Sequence, residues 1–402
     1  MTTTVSGSYP AVNSDSDATI NGLTVGKGAN AVAENTAVGS SALSSGSLSG
    51  DYNTAVGRIA MQSNTTGNFN SALGRQALGL NTTGTQNTAI GHTALYSNTT
   101  ASYNSALGME ALYSNTTGAN NVAIGYTALR SNTTADNNTA VGYQAGYSNS
   151  TGFSMVAMGS FALYANTTGS NNTAIGSAGS VNAALRFNTT GGDNTAVGAG
   201  ALASNTTASD NTALGYGAGG SITTGDGNVF IGNTAGSTNT TGNTNVLIGR
   251  DVRASAATNS GEIVIGNATG KGGSTGFIYP NAGGVFQGNN SSSWSTTSDA
   301  RLKKNIVDNT TGLDLINQIR VRNFEYRLPE EITDLPKDQA ISKEGIQLGV
   351  IAQEIQQVSK EFVKTETTGV MSVDSDNLTW YLINAVKELK AEVDSLKQQL
   401  GN

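Results

Sequence analysis

Read as apolar and polar positions, the first two-thirds of this chain is one short phrase repeated. A sizeable apolar residue precedes each of fourteen glycines, from Val38–Gly39 to Ile265–Gly266. Two places before the glycine stands alanine in the first eleven copies, then Phe230, Leu247 and Val264. Four places before it stands asparagine, except where Met155 and Glu262 replace it. The glycines are spaced by 18 residues, then seven times by 17, once by 22 and four times by 17. Alternation over five residues predicts a short strand whose neighbours point to opposite faces. A second apolar pair follows, as in GHTAL and GMEAL, and then SNTTG, a polar turn. Each repeat therefore reads as one coil with two short strands and a tight corner.

A fixed period of this length predicts a stacked architecture. Each coil adds about 4.8 Å, so the thirteen steps from Gly39 to Gly266 span roughly 60 Å. The large apolar residue is expected to fill the coil's interior, and the alanine, on the other face, to admit close approach by another chain. The repeated asparagine suits a ladder of side-chain amides. No proline occurs between Pro10 and Pro280, in keeping with paired backbone N–H groups. Coils this thin have little core, which argues for lateral association. The N-x-A-x-G phrase over residues 21–270 resembles the head domain of trimeric bacterial adhesins, a left-handed parallel β-roll, although those heads use a shorter repeat.

Within the repeats, Tyr96, Tyr113, Tyr147 and Tyr164 each lie five residues after a repeat glycine. They form either a stripe packing coil on coil or a sugar-stacking receptor surface. Asn98-Thr99-Thr100 and its copies fit a glycosylation pattern, but a turn recurring in register accounts for them better. The 22-residue interval places five extra residues near SAGSVNAALRF (177–187), as a binding loop or as tolerated slack.

After residue 298 the pattern changes. GLDLINQIRVRNFEYRL (312–328) reads as an amphipathic helix running into a strand, and LGVIAQEIQQV (348–358) as strand, then helix. Leu382, Val386, Leu389, Val393, Leu396 and Leu400 alternate spacings of four and three, the seam of a coiled coil over 378–401. The competing reading is one amphipathic helix packed on its own domain. Charge marks the same boundary. Residues 1–298 hold 8 basic and 11 acidic residues, whereas the remaining 104 positions hold 13 and 17.

Composition then removes whole classes of chemistry. Without cysteine there are no disulfides, thiolate metal sites or cysteine nucleophiles, and neither metal nor cofactor is expected. The single histidine, His92, stands where Arg75 and Tyr126 stand in other repeats, so it reads as a surface residue. A net charge of −7 argues against nucleic acid and anionic membranes. No stretch approaches a membrane span, and the first residues do not read as a signal peptide.

SDARLKKNI, the helix-strand segment, LGVIAQEIQQV and the final helix resemble, in order, the intramolecular chaperone domain at the C-termini of phage endosialidase-type tailspikes and tail fibres. One departure is Ser375, where the family has an aromatic. The resemblance implies a homotrimer whose chaperone folds the preceding β-rich part and then releases itself. It assigns Ser298 as nucleophile and Lys303 as base, with the cut at Ser298–Asp299. An acyl shift would instead cut before Ser298. Serine needs a neighbouring base, and a lysine serves once burial lowers its pKa. Arg301 and Lys304 could support the site, or form ordinary surface ion pairs.

The fold class expected is thus a mainly β repeat, a trimeric parallel β-roll or solenoid of 17-residue coils, followed by a small α+β domain ending in a coiled-coil helix. Residues 1–20 would attach to a tail or baseplate protein, 21–270 form the shaft, 271–297 a connector and 298–402 the chaperone. The implied function is a virion tail fibre, assembled in the host cytoplasm and acting outside the host cell on a surface glycan or other receptor. Two alternatives keep the architecture: a fibre with an uncleaved chaperone tip, and a polysaccharide-degrading tailspike. A bacterial adhesin would need a signal peptide and a membrane-anchoring barrel, and neither is read here.

Overall fold

The computed structural model describes residues 18–20, 23–177, 179–270, 272–279, 285–287, 294–296, 300–334, 343–365, 370–373 and 375–401. The chain divides into two compact units, residues 1–297 and 298–402.

The first unit is a β-solenoid. Each coil contributes one strand of three residues, or four in the last (Ile263–Gly266), and each strand pairs in parallel with its counterpart in the next coil. Thr88–Ile90 meets Ser105–Leu107, for example, residue on equivalent residue. The 22-residue interval keeps this register, with Thr173 opposite Thr195. Antiparallel strands close both ends of the sheet. Ala18–Ile20 and Leu23–Gly26 precede the first coil, and Val285–Gln287 and Trp294–Thr296 extend the segment expected as a connector.

Two expectations are corrected. Each coil has one strand rather than two. The second apolar pair, such as Ala94-Leu95, lies in a turn where Thr93 and Leu95 take left-handed φ of 53° and 51°. Such φ values are unfavourable for side chains with a Cβ, and the complete burial of Leu95 holds them in place. The strand faces are also reversed. The alanines are interior, with Ala89 and Ala106 at 0–1% exposure, while Leu73 and Leu107 are 51% and 46% exposed. Alternation shows that two faces differ but not which one is inside. A 17-residue coil is narrow, and two alanines and a leucine from the turn already fill it.

Two asparagine ladders brace the interior. In the first, Asn104 takes the Asn87 amide oxygen on its backbone N–H at 3.0 Å and sends its own amide across the coil to the Gly118 carbonyl at 2.9 Å. In the second, built from the SNTTG turns, Asn115 donates to Asn98 Oδ1 at 3.1 Å and to the same Gly118 carbonyl at 2.8 Å. Asn98 is itself fully buried, its amide nitrogen committed to Asn81 and Ala101. Buried amides cost little when every donor and acceptor is engaged.

Departures from the repeat compensate one another. Gly146 stands where other coils have leucine, and Met155, replacing an asparagine, extends into that space. Phe230, replacing alanine, packs against Gly219 and Gly236, both at leucine positions. Ile222 replaces an asparagine of the second ladder without such relief. On either side of it, Asn205 Oδ1 and Asn239 Nδ2 are buried with no hydrogen-bond partner. Glu262 ends the first ladder, accepting from Ser255 N, Ser255 Oγ and Gly272 N at 2.6–2.8 Å.

The second unit contains α1 (Leu313–Asn317), α2 (Ala352–Val358) and α3 (Asp376–Gln399), with two small antiparallel pairs. These are Arg322–Phe324 with Gln347–Gly349, and Val363–Thr365 with Met371–Val373. Both helix–strand orders read from the sequence are present.

Candidate functional site

The stretch carrying the proposed nucleophile begins at the boundary between the units. Ser298 and Asp299 lie outside the described residues. Ala300–Leu302 forms a single 3₁₀ turn, closed by the Lys303 N–H donating to the Ala300 carbonyl at 3.1 Å. Arg301, Lys303 and Lys304 are all exposed in the isolated chain. The base assigned by resemblance is therefore not in a water-excluded pocket in a single copy.

The rest of the unit has little interior. Among the described residues, its buried hydrophobics are Ile355, Phe362 and Ala385. Val307, Leu348, Ile346 and Ile306 are 70–84% exposed. Helix α3 docks through its Tyr381, Asn384, Ala385 and Glu388 side. Glu388 accepts from Leu313 N at 2.6 Å, Asn384 donates to the Asn309 carbonyl at 2.8 Å, and Tyr381 donates to Glu361 at 2.9 Å. A Cβ on Gly312 would collide with the α3 backbone at Ala385, so glycine permits this approach. The heptad residues Leu382, Val386, Leu389, Val393, Leu396 and Leu400 form a neighbouring stripe, about a third of a turn round the helix, and are 39–78% exposed. One face of this helix packs on its own domain, as the competing reading has it, and the heptad residues are left uncovered.

Residues 298–364 match the family model described as the chaperone of endosialidase. The second unit carries an endosialidase-type chaperone domain. No curated protein and no solved structure matches the chain. The chaperone match begins at Ser298, the first residue of the second compact unit.

On the solenoid, the four tyrosines belong to one column. Tyr96 stacks on Tyr113 at 5.4 Å between ring centres, and Tyr147 on Tyr164 at 5.3 Å. Arg130 lies between the pairs, 5.1 Å from the Tyr113 centre and 6.0 Å from that of Tyr147. Its Nε donates to Glu110 at 2.7 Å, which raises the guanidinium pKa further above its ordinary value. Arg186 continues the column over Tyr164 at 5.4 Å. These rings are half-buried, and their faces are largely used by one another. Tyr126, Tyr143 and Phe161 make a second aromatic file. Sequence reading missed Arg130 and Arg186, although their spacing of 17 and 22 from Tyr113 and Tyr164 puts them in register. His92 sits on the surface, its Nε2 accepting from Arg75 Nη1 at 2.7 Å.

Proposed function

We propose that this chain is a phage tail-fibre protein whose solenoid forms a host-attachment shaft and whose chaperone domain drives trimerisation and then cleaves itself near Ser298. The observation that carries the reading is how few large side chains are buried among the described residues of the chaperone domain. A unit that buries so few large side chains cannot offset the entropy of ordering a hundred residues. Three copies joined through the heptad face of α3 would supply the missing core. The Ser298 hydroxyl would attack a neighbouring peptide carbonyl while Lys303 takes its proton. The amide C–N bond then breaks, the leaving amine receives that proton, and water hydrolyses the resulting ester to a carboxylate and a free Ser298 hydroxyl. Because Lys303 is exposed in one copy, assembly would have to create its burial, and cleavage would report completed folding.

The shaft would meet the host through the hydroxyl edges of the tyrosine column and the outer loops, with attachment to the tail through the N-terminal segment. A degrading tailspike gains no support from the carboxylates. Glu110 is held by Arg130, and Glu262 is buried and accepts three hydrogen bonds.

Intact mass of the denatured protein, beside a Ser298→Ala variant, tests the cleavage. Pieces meeting at residue 298, within one position, with the variant whole at 40.9 kDa, would support it. Two whole chains under conditions where light scattering finds trimers would leave a fibre with a permanent chaperone tip.

A further inference from the structure

Each solenoid strand points its middle residue inward and its two flanking residues outward. The outer face of the sheet therefore carries two columns along all fourteen coils. One is the large apolar residue before each glycine, with Leu73, Leu107 and Leu214 at 46–51% exposure. The other, two places earlier, is threonine or serine in nine coils and apolar in five, at Val122, Val156, Val229, Val246 and Ile263. Parallel sheets ordinarily have both faces covered. Here the inner face is filled by the coil's own alanines and leucines, and the outer face is bare.

We propose that this outer face is a seam on which further copies of the same chain pack side by side, parallel and in register. The inference rests on the trimeric reading above and names the surface that reading needs. The period identifies the occupant. A partner that fills the stripe over its whole length must offer apolar side chains every 4.8 Å or so, the rise of one coil. A surface without that repeat would lose register within a few coils, whereas a second copy has it throughout. Charge agrees. None of the residues in the two columns is charged, while other outward positions include Arg58, Arg75 and Asp136. In-register symmetry sets each residue near its own copies, where like charges would repel. The stripe would remove on the order of 1,000 Å² per chain from water, within the class of stable interfaces.

The chain has no cysteine, so single thiols can be placed in the full-length protein. Ile124→Cys lies on the stripe, and Thr100→Cys, on an exposed turn, serves as control. Both variants are treated with a short bismaleimide, with light scattering on the same samples. The expected result is efficient cross-linking between copies through position 124 and little through position 100. An intact oligomer that does not cross-link at 124, or cross-links equally at 100, overturns the seam and leaves the trimeric fibre standing. A monomeric native chain overturns both. A Leu107→Asp/Ile124→Asp variant gives a second readout. It should weaken the shaft's thermal stability only in the oligomer, and unchanged oligomer stability counts against the seam.

Discussion

At the scale of single residues, the buried amides decide which coils are strong. Each interior asparagine serves two neighbours, so removing one strands atoms on both sides. Asn115→Ala leaves Asn98 Oδ1 and Asn132 Nδ2 without their ladder partner. The loss should be roughly 2–4 kcal/mol, read from denaturant melts of the solenoid. The Gly146–Met155 exchange allows a sharper test, because it conserves interior volume. Gly146→Leu alone should destabilise by about 1–3 kcal/mol through overpacking against Met155. Adding Met155→Asn should recover most of that, giving a coupling of similar size in a double-mutant cycle. The period, the first ladder and the strand before each glycine were legible from the asparagine, alanine and glycine spacing, whereas the second apolar pair read as a strand and lies in a turn. The inside–outside choice was not, because Ala106 and Leu107 alternate identically whichever faces in. The second ladder was read only as a turn, since a turn asparagine and a buried one look the same in sequence.

At the scale of elements, α3 presents two different faces. Its Ala385 side is fixed by Gly312 and by hydrogen bonds to residues 309–313, and the heptad side is exposed, the face on which the proposed trimer would join. Val386→Asp with Leu389→Asp should abolish the oligomer in light scattering, while circular dichroism still reports helix. Loss of the helix itself would mean that this face is structural within one copy. The pair of Arg322 and Glu354, joined at 2.6 and 3.1 Å, ties the strand Arg322–Phe324 to α2. The hydrogen bond from Arg322 holds the Glu354 carboxyl below its ordinary value. A depressed folded value means that the contribution is present above the ordinary carboxylate range and is lost as pH falls through the lowered value. Arg322→Gln should return the Glu354 titration, followed by NMR, to the ordinary range. The heptad spacing was visible in sequence because it is local, whereas the docking face relies on contacts seventy residues apart.

At the scale of the whole molecule, the two units are built on opposite principles. The solenoid satisfies its backbone within one chain and leaves one sheet face open. The chaperone unit, with three buried hydrophobics among its described residues, has almost nothing inside. Under the proposed function, that contrast would separate a domain acting during assembly from a shaft that outlasts it, and the Ser298→Ala mass experiment bears on it directly. A shaft of the proposed kind, fixed at one end and bound to a host at the other, would also carry load. Stretched along its axis, a stack of coils held by matched amides yields where the match fails. Ile222, set between two amides that each have one atom without a partner, marks such a point. Single-molecule pulling should find the first rupture at that coil, and an Ile222→Asn chain should break elsewhere. If both rupture at the same extension, the gap in the ladder is mechanically silent.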